Sequence, residues 1–573
     1  MKSKLVNQKK RIALLLAIAL VVSVIISSCG VESNVDTKKD AQKYETAVAN
    51  LKKTGLNEDG TYTVTEDLIV AIENEEFKAA KNIIYMIGDG MGANIIEVAQ
   101  RYYTSDLYND TLAINNLPSF GYQSTYSASH QVTDSAAGGT ALSTGYKTTN
   151  EVIGMNKDAT ENYKNVLELA AEKGKSTGIV ATKSVTDATP ASFSAHVSSR
   201  SLNAQIAYQQ LEKIAGGSLD IVLGGGSSHY ETADNKTIFE EAKENGMTYT
   251  TGWEETKEAE MPLVGLFATE HMDTTNEELP TLAEMTDLAL KHLSEDKSGF
   301  FLMVEGSQID SYGHEENLER EAEEMYAFDQ AIAIAMRFVA LNPDTVLIIT
   351  ADHETGGIKL PDEYKKGELS GEYSSGNHSY TQVPVYALGY DTEKLDVIKE
   401  NTDIAIFVAS LMGEDEFGQT SKNHLIFDGD KKAQRKVILD NNSNASTGKD
   451  HVKLVFDKSS SEIKLLVDKL KFDATDIKNA RKMSLVIKNT SEETIKAPAL
   501  KYVTENRNFD ILFDYCTYIK PGETKEVTYI LKETWWVDDA CDALSEVVIF
   551  YNNSTDKTLD LYDVYITERA LEY

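Results

Sequence analysis

A mostly parallel α/β sheet flanked by helices, followed by a separate C-terminal β-sandwich, is the fold this sequence predicts. Three observations carry the prediction. Short, continuous apolar runs rich in β-branched residues recur between residues 82 and 387, as strands buried on both faces require. Helix-like segments separate the runs, so strand and helix alternate. Beyond about Gly413 the texture changes to short β-rich stretches punctuated by turn residues.

The N-terminus comes first and is expected to lie outside the fold. Lys2, Lys4, Lys9, Lys10 and Arg11 precede an apolar run from Ile12 to Ile26. That run is shorter than the ~20 residues of a membrane-spanning helix, so residues 1–28 read as an export signal. The signal ends in Ile26-Ser27-Ser28-Cys29, which resembles a bacterial lipobox. The resemblance implies a lipid on Cys29 and an extracytoplasmic protein anchored to a bacterial cell membrane, with plain secretion as the alternative. Residues 29–75 are then a polar tether, from Gly30 to about Lys39, and a short helix near Asp40 to Lys53.

Strands are predicted at Asn82–Ile87, Thr177–Ala181, Ile221–Leu223, Phe300–Val304, Val346–Ile349 and Val383–Ala387. Helices are expected between them, around Ala93 to Tyr102, Tyr163 to Lys173, Thr281 to Ser294 and Glu319 to Leu341. These place an α/β unit over residues 76–415 and the β-sandwich over 425–573, where Leu485–Asn489 and Glu526–Leu531 are typical strands and Pro521-Gly522 a turn.

A chain of 573 residues suits two to four domains at roughly 100 to 200 residues each. With 41% hydrophobic and 26% charged residues it is globular, neither disordered nor a polytopic membrane protein. Its 56 basic against 91 acidic side chains give a formal charge of −35, which excludes nucleic-acid binding through a basic face. An anionic substrate remains compatible with such a surface if bound metal ions supply local positive charge. Besides Cys29 only Cys516 and Cys541 occur, and they either form one disulfide or stay as buried thiols.

Ligands of open α/β sheets bind at the carboxyl ends of the strands, so the residues following each run are the candidates for chemistry. Asp89 follows the first strand, between glycines, where it either faces the crevice or serves the turn. After Val304 come Glu305, Asp310 and His314; the last two are four apart, on one face if that turn is helical, a spacing that suits zinc or a surface pair. Asp352 and His353 end the next strand and could build a second zinc site, while His378 stands before the Val383 strand. Ser135, at a predicted helix start among small residues, is either an N-cap or a nucleophile placed where amides and helix dipole stabilise a phosphate. No serine-protease-like elbow or base accompanies it, so a metal would have to activate it.

Together GDGMG, TDSAAGGTALSTG, DATPASFSAHVSSR, VEGSQIDSYGH, ADHETGG and NHSYTQVPV resemble the alkaline phosphatase family, in the family's order, over roughly residues 80 to 415. The resemblance implies an alkaline-phosphatase-like fold and hydrolysis of small phosphate monoesters through a phosphoserine on Ser135. It implies two Zn²⁺, one held by Asp310, His314 and His378 and the other by Asp89, Asp352 and His353. One Mg²⁺ would share Asp89 with Thr189 and Glu305, with Asp187 acting through water, and Arg200 would grip two phosphate oxygens. It also points towards a homodimer.

Three departures stand out. Ser311 replaces a larger Lys, His or Trp of many relatives, the stretch from His353 to His378 is short, and the catalytic region has no cysteine. The alternatives are a phosphodiesterase of the same superfamily, against which Arg200 argues, and a noncatalytic surface-binding lipoprotein.

Overall fold

The computed structural model describes residues 37–569 apart from 58, 78, 104–110, 118, 362, 364, 366, 398–399, 415, 419–420, 458–460, 471–479, 505–507, 513–517, 531–543 and 552–556. Residues 1–28, read above as an export signal, and Cys29, Cys516 and Cys541 lie outside the described residues. Among those described, no helix is long and apolar enough to cross a membrane.

The first eleven strands are β1 (Asn82–Gly88), β2 (Ser119–Gln123), β3 (Ser176–Ser184), β4 (Ile221–Gly225), β5 (Thr248–Thr250), β6 (Leu263–Leu266), β7 (Phe300–Gly306), β8 (Thr345–Thr350), β9 (Glu354–Thr355), β10 (His378–Ser379) and β11 (Val383–Leu388). Nine form one sheet in the order β2-β11-β8-β1-β7-β3-β4-β6-β5, and β9 and β10 make a small ribbon. The strands around β1 run parallel; β11 alone is antiparallel to its neighbours β8 and β2. All six predicted strands are present. Within the sheet, β2, β5 and β6 were not foreseen: β2 and β5 are edge strands, which need not be apolar on both faces, and β6, though buried on both, is only four residues long.

The sheet is sandwiched between helices because its central strands are apolar on both sides. In β1, Ile83, Tyr85 and Ile87 enter one core, while Ile84 and Met86 enter the other. The long helix Leu318–Leu341 covers the second face with Met325, Phe328 and Ile332. The same core receives Ala47 and Leu51 from the helix Thr37–Leu51, and Leu68 and Ile72 from the helix Glu66–Glu73. The Tyr62 amide donates to Gln330 Oε1 at 2.9 Å, and Arg337 donates to the Leu51 carbonyl at 3.1 Å. The helix expected near Asp40 to Lys53 is thus present as Thr37–Leu51, and it packs against the α/β core together with Glu66–Glu73, a helix that was not foreseen.

From Ser421 onward the chain forms antiparallel sheets, a six-stranded one and a four-stranded one. Their inward residues, among them Leu454, Ile463, Leu485, Tyr502 and Ile549, share one core. Alternation is plain in Val452–Phe456, where Val452, Leu454 and Phe456 are buried and Lys453 is exposed, as a sandwich face dictates.

Candidate metal centre

The parallel strands deliver their carboxyl ends to one edge of the sheet, and the antiparallel β11 delivers its beginning there. Asp89 follows β1, Lys183 closes β3, Glu305 closes β7, and Asp352 and His353 follow β8. The turn after β1 needs Gly90, whose φ is +73° and whose added Cβ would lie 2.9 Å from the Asp310 backbone. Directly after β7 the chain turns into the helix Gln308–His314, so Asp310 and His314 share a face as their spacing predicted. The β9–β10 register sets His378 opposite Thr355, which brings its ring onto that of His353 with centroids 3.5 Å apart.

Two groups of ligand atoms result: Asp310 with His314 and His378, and Asp89 with Asp352 and His353, each set within 4.8 Å of one another. In the first, Asp310 Oδ1 lies 3.3 Å from Nε2 of both His314 and His378, and those two nitrogens are 3.1 Å apart. His314 Nδ1 donates to the Gly376 carbonyl at 2.8 Å and His378 Nδ1 to the Thr133 carbonyl at 2.9 Å. A carbonyl can only accept, so each ring commits its Nδ1–H to the backbone and turns Nε2 toward the other ring and toward a carboxylate. Two imidazole nitrogens and a carboxylate oxygen converging in this way fit a cation.

In the second group, His353 Nε2 is 3.2 Å from Asp352 Oδ2, 3.4 Å from Asp89 Oδ1 and 3.1 Å from Ser135 Oγ. Asp352 Oδ1 accepts from the amides of His353 and Gly90, while Asp352 Oδ2 and Asp89 Oδ1 are buried without a hydrogen-bond partner. Glu305 is built alike: Oε2 accepts from Ser307, and Oε1, like Thr189 Oγ1, is buried and unpartnered. Four orphaned oxygens lining one edge fit divalent ions, since burial without a partner costs about 1 to 3 kcal/mol per group.

Electrostatics agree. Burial, reinforced by the charges of Asp310 and Asp352, pushes the Asp89 carboxyl well above the usual range. Burial lifts Glu305 to about 8 and Asp352 to about 6, and it holds the His353 imidazole well below its ordinary value. Against burial, Lys183 and the facing histidines hold Asp310 well below the carboxylate range. Such a surplus of buried carboxylate is what a bound cation relieves.

Ser135, only 2% exposed, opens the helix Ser135–Thr144. The N-cap is Asp134, whose Oδ1 accepts from the Ala137 amide at 3.0 Å, so the capping role considered for Ser135 belongs to its neighbour. Gly138 is required one turn on, because a Cβ would lie 2.9 Å from the Asp352 carbonyl oxygen. Arg200 donates from Nη2 to Asp187 Oδ1 at 3.1 Å and from Nη1 to Asp134 Oδ2 at 3.4 Å, so two carboxylates brace its guanidinium. Asp187 also caps the short helix Ala188–Ser192 that carries Thr189.

Sequence reasoning missed three contributors: Asp134, Thr355, whose hydroxyl donates to Asp310 Oδ1 at 2.6 Å, and Lys183, whose Nζ is 3.2 Å from Asp89 Oδ2. Asp134 and Thr355 stand inside quoted motifs and were open to notice; Lys183 sits in a buried strand with no signal. His196 lies apart, bridging the Gly154 carbonyl and Glu168, and His130 contacts Ser129.

The alkaline phosphatase family model matches residues 80–369. Alkaline phosphatase 3 of Bacillus subtilis is 40% identical over 291 residues, covering 49% of this chain and 62% of that protein. Escherichia coli alkaline phosphatase is 31% identical over 429 residues, covering 62% and 91%. The solved alkaline phosphatase of the Antarctic bacterium TAB5 superposes with a TM-score of 0.54 at 35% identity, over 60% of this chain and all of that one, and a variant of it carries Mg in its M3 site. The match thus spans less than two thirds of the Bacillus relative.

Proposed function

This chain belongs to the alkaline phosphatase family, and on that premise we propose that it hydrolyses phosphate monoesters to an alcohol and inorganic phosphate through a phosphoserine on Ser135. The observation that carries the reading is the position of Ser135 Oγ, at a helix N-terminus and 3.1 Å from His353 Nε2 of a buried carboxylate-imidazole group.

One Zn²⁺ would be held by Asp310, His314 and His378, a second by Asp89, Asp352 and His353, and a Mg²⁺ by Asp89, Thr189 and Glu305 with Asp187 through water. When bound, the ions supply charge neutralisation for the phosphate dianion and lower the pKa of the serine hydroxyl and of water. Ser135 Oγ forms the new bond to phosphorus as the ester P–O bond breaks and the alcohol departs with a proton. Water then forms a bond to phosphorus, the bond to Ser135 Oγ breaks as one water proton passes to that oxygen, and phosphate leaves. Amides of the first turn and the helix dipole stabilise the phosphoryl oxygens at Ser135. Arg200, braced by Asp187 and Asp134, offers its remaining N–H groups as a planar fork for two nonbridging oxygens. A diester blocks one of those oxygens, which favours monoesters.

The test is hydrolysis of p-nitrophenyl phosphate, its bis-ester and the sulfate, before and after chelation and with Zn²⁺ and Mg²⁺ restored. Chelator-sensitive turnover of the monoester far above the other two is expected; its absence from folded, metal-restored protein would refute the reading.

Lipid attachment at Cys29, an extracytoplasmic place at a bacterial membrane, and a homodimer belong to the same proposal. The first two rest on the basic, then apolar, start that runs into Cys29, and the dimer on the family resemblance. Labelling with a clickable fatty acid should mark the wild type and not Cys29→Ser, and sedimentation should report twice the chain mass.

A further inference from the structure

Lys183 has no part in the chemistry above, yet it lies at its centre. It is 6% exposed, at the end of β3, with Nζ 3.2 Å from Asp89 Oδ2 and 3.5 Å from Asp310 Oδ2. The other oxygen of each aspartate faces imidazole: Asp89 Oδ1 faces His353, and Asp310 Oδ1 faces His314 and His378. Two carboxylates, one from each ligand group, therefore turn their inner oxygens to the groups and their outer oxygens to a common ammonium. Asp89 Oδ2 would be the oxygen available to a third ion, and Glu305, whose Oε1 has no hydrogen-bond partner, is near enough to act electrostatically on both Asp89 and Lys183. A fixed ammonium and a divalent ion on one carboxylate oxygen repel each other in a poorly screened interior.

We propose that Lys183 is the resident cation of the third metal position: a positioning residue that ties the two ligand groups together from behind and leaves the third ion weakly held and dispensable. This rests on the metal reading of the same residues given above. In its consequence, the two-ion centre keeps its geometry at low magnesium because a side chain already occupies part of the place that magnesium would take.

The experiment is equilibrium dialysis of the zinc-loaded full chain against graded free Mg²⁺, with bound metals counted by mass spectrometry and the Mg²⁺-dependent shift in melting temperature followed in parallel. Wild type should retain two zinc equivalents and fill the third position only at high magnesium. Lys183→Met, similar in length and uncharged, should fill it at about tenfold lower magnesium. Lys183→Arg, which keeps the charge, should stay closer to wild type. Retained zinc with the same magnesium isotherm for wild type and Lys183→Met would overturn the assignment of Lys183 alone. A wild type that retains no zinc would overturn both it and the metal reading. If Lys183→Met does not fold, Lys183→Gln is held to the same criterion.

Discussion

The α/β unit and the C-terminal β unit treat strand ends in opposite ways. In the nine-stranded sheet, β1, β3, β7 and β8 end together at one edge, and each end is followed or closed by an ionisable side chain turned inward. In the C-terminal sheets neighbouring strands are antiparallel, so successive ends fall on opposite edges. Among the described residues, both ligand groups with metal-binding spacing belong to the first unit. Parallel pairing collects ends that are far apart in sequence into one place, whereas antiparallel pairing disperses them. The first unit gathers the partnerless oxygens of Asp89, Asp352 and Glu305 around its ligand groups, and the second closes on an apolar core.

Several variants break or sharpen this contrast. Ser135→Ala should lower turnover by on the order of 10³-fold or more and abolish phosphoenzyme, while zinc measured by mass spectrometry is unchanged. Near-normal turnover would remove the α/β edge as the seat of chemistry. Arg200→Lys should lower kcat/KM for a monoester by roughly a hundredfold, since a point charge cannot reproduce the planar fork. An unchanged preference for monoester over diester in that variant would sink the clamp.

Leu485→Ala tests the other side of the comparison. Leu485 is fully buried in the C-terminal core, so its truncation should destabilise that unit by about 2 to 5 kcal/mol in a denaturant titration, with kcat per folded molecule altered less than about twofold. A large fall in kcat would couple the two units.

The smallest effect is a pH dependence confined to the α/β unit. Burial opposes ionisation of Glu168, yet His196 at 2.8 Å and Lys213 at 2.8 Å hold its carboxyl at about 2 against an ordinary 4.5. A depressed folded value means that the unfolded chain takes up the proton first. The contribution is therefore complete above 4.5 and disappears as pH falls towards 2. Melting temperatures should fall more steeply over that window in wild type than in Glu168→Gln, while the C-terminal transition shows no difference.

Much of this was legible beforehand because it depends on local order along the chain. Continuous apolar runs announced β1, β3, β4, β7, β8 and β11, since a strand covered on both faces has no polar alternation to hide it. Asp310 and His314 announced a shared helical face by their spacing. Other features carried no local mark. The short helix Thr37–Leu51 was foreseen only as a spacer, because its apolar residues find partners in the helix Glu66–Glu73 and the core under Leu318–Leu341 only once the chain folds. The edge strands β2 and β5 owe their existence to a neighbour's open hydrogen bonds.

By itself, then, the sequence determined the element order, the inventory of carboxylates, imidazoles and serine, and the family to which they belong. What only the tertiary structure decided is which oxygen of each carboxylate faces inward, that His378 stacks on His353, that Asp134 rather than Ser135 caps its helix, and that Lys183 joins Asp89 to Asp310. The physical reason is range. Helix and strand periodicity are set by neighbours a few positions apart, whereas Lys183 and Asp310 meet only after β3 and β7 pair along their length and the chain turns beyond β7 into its next helix.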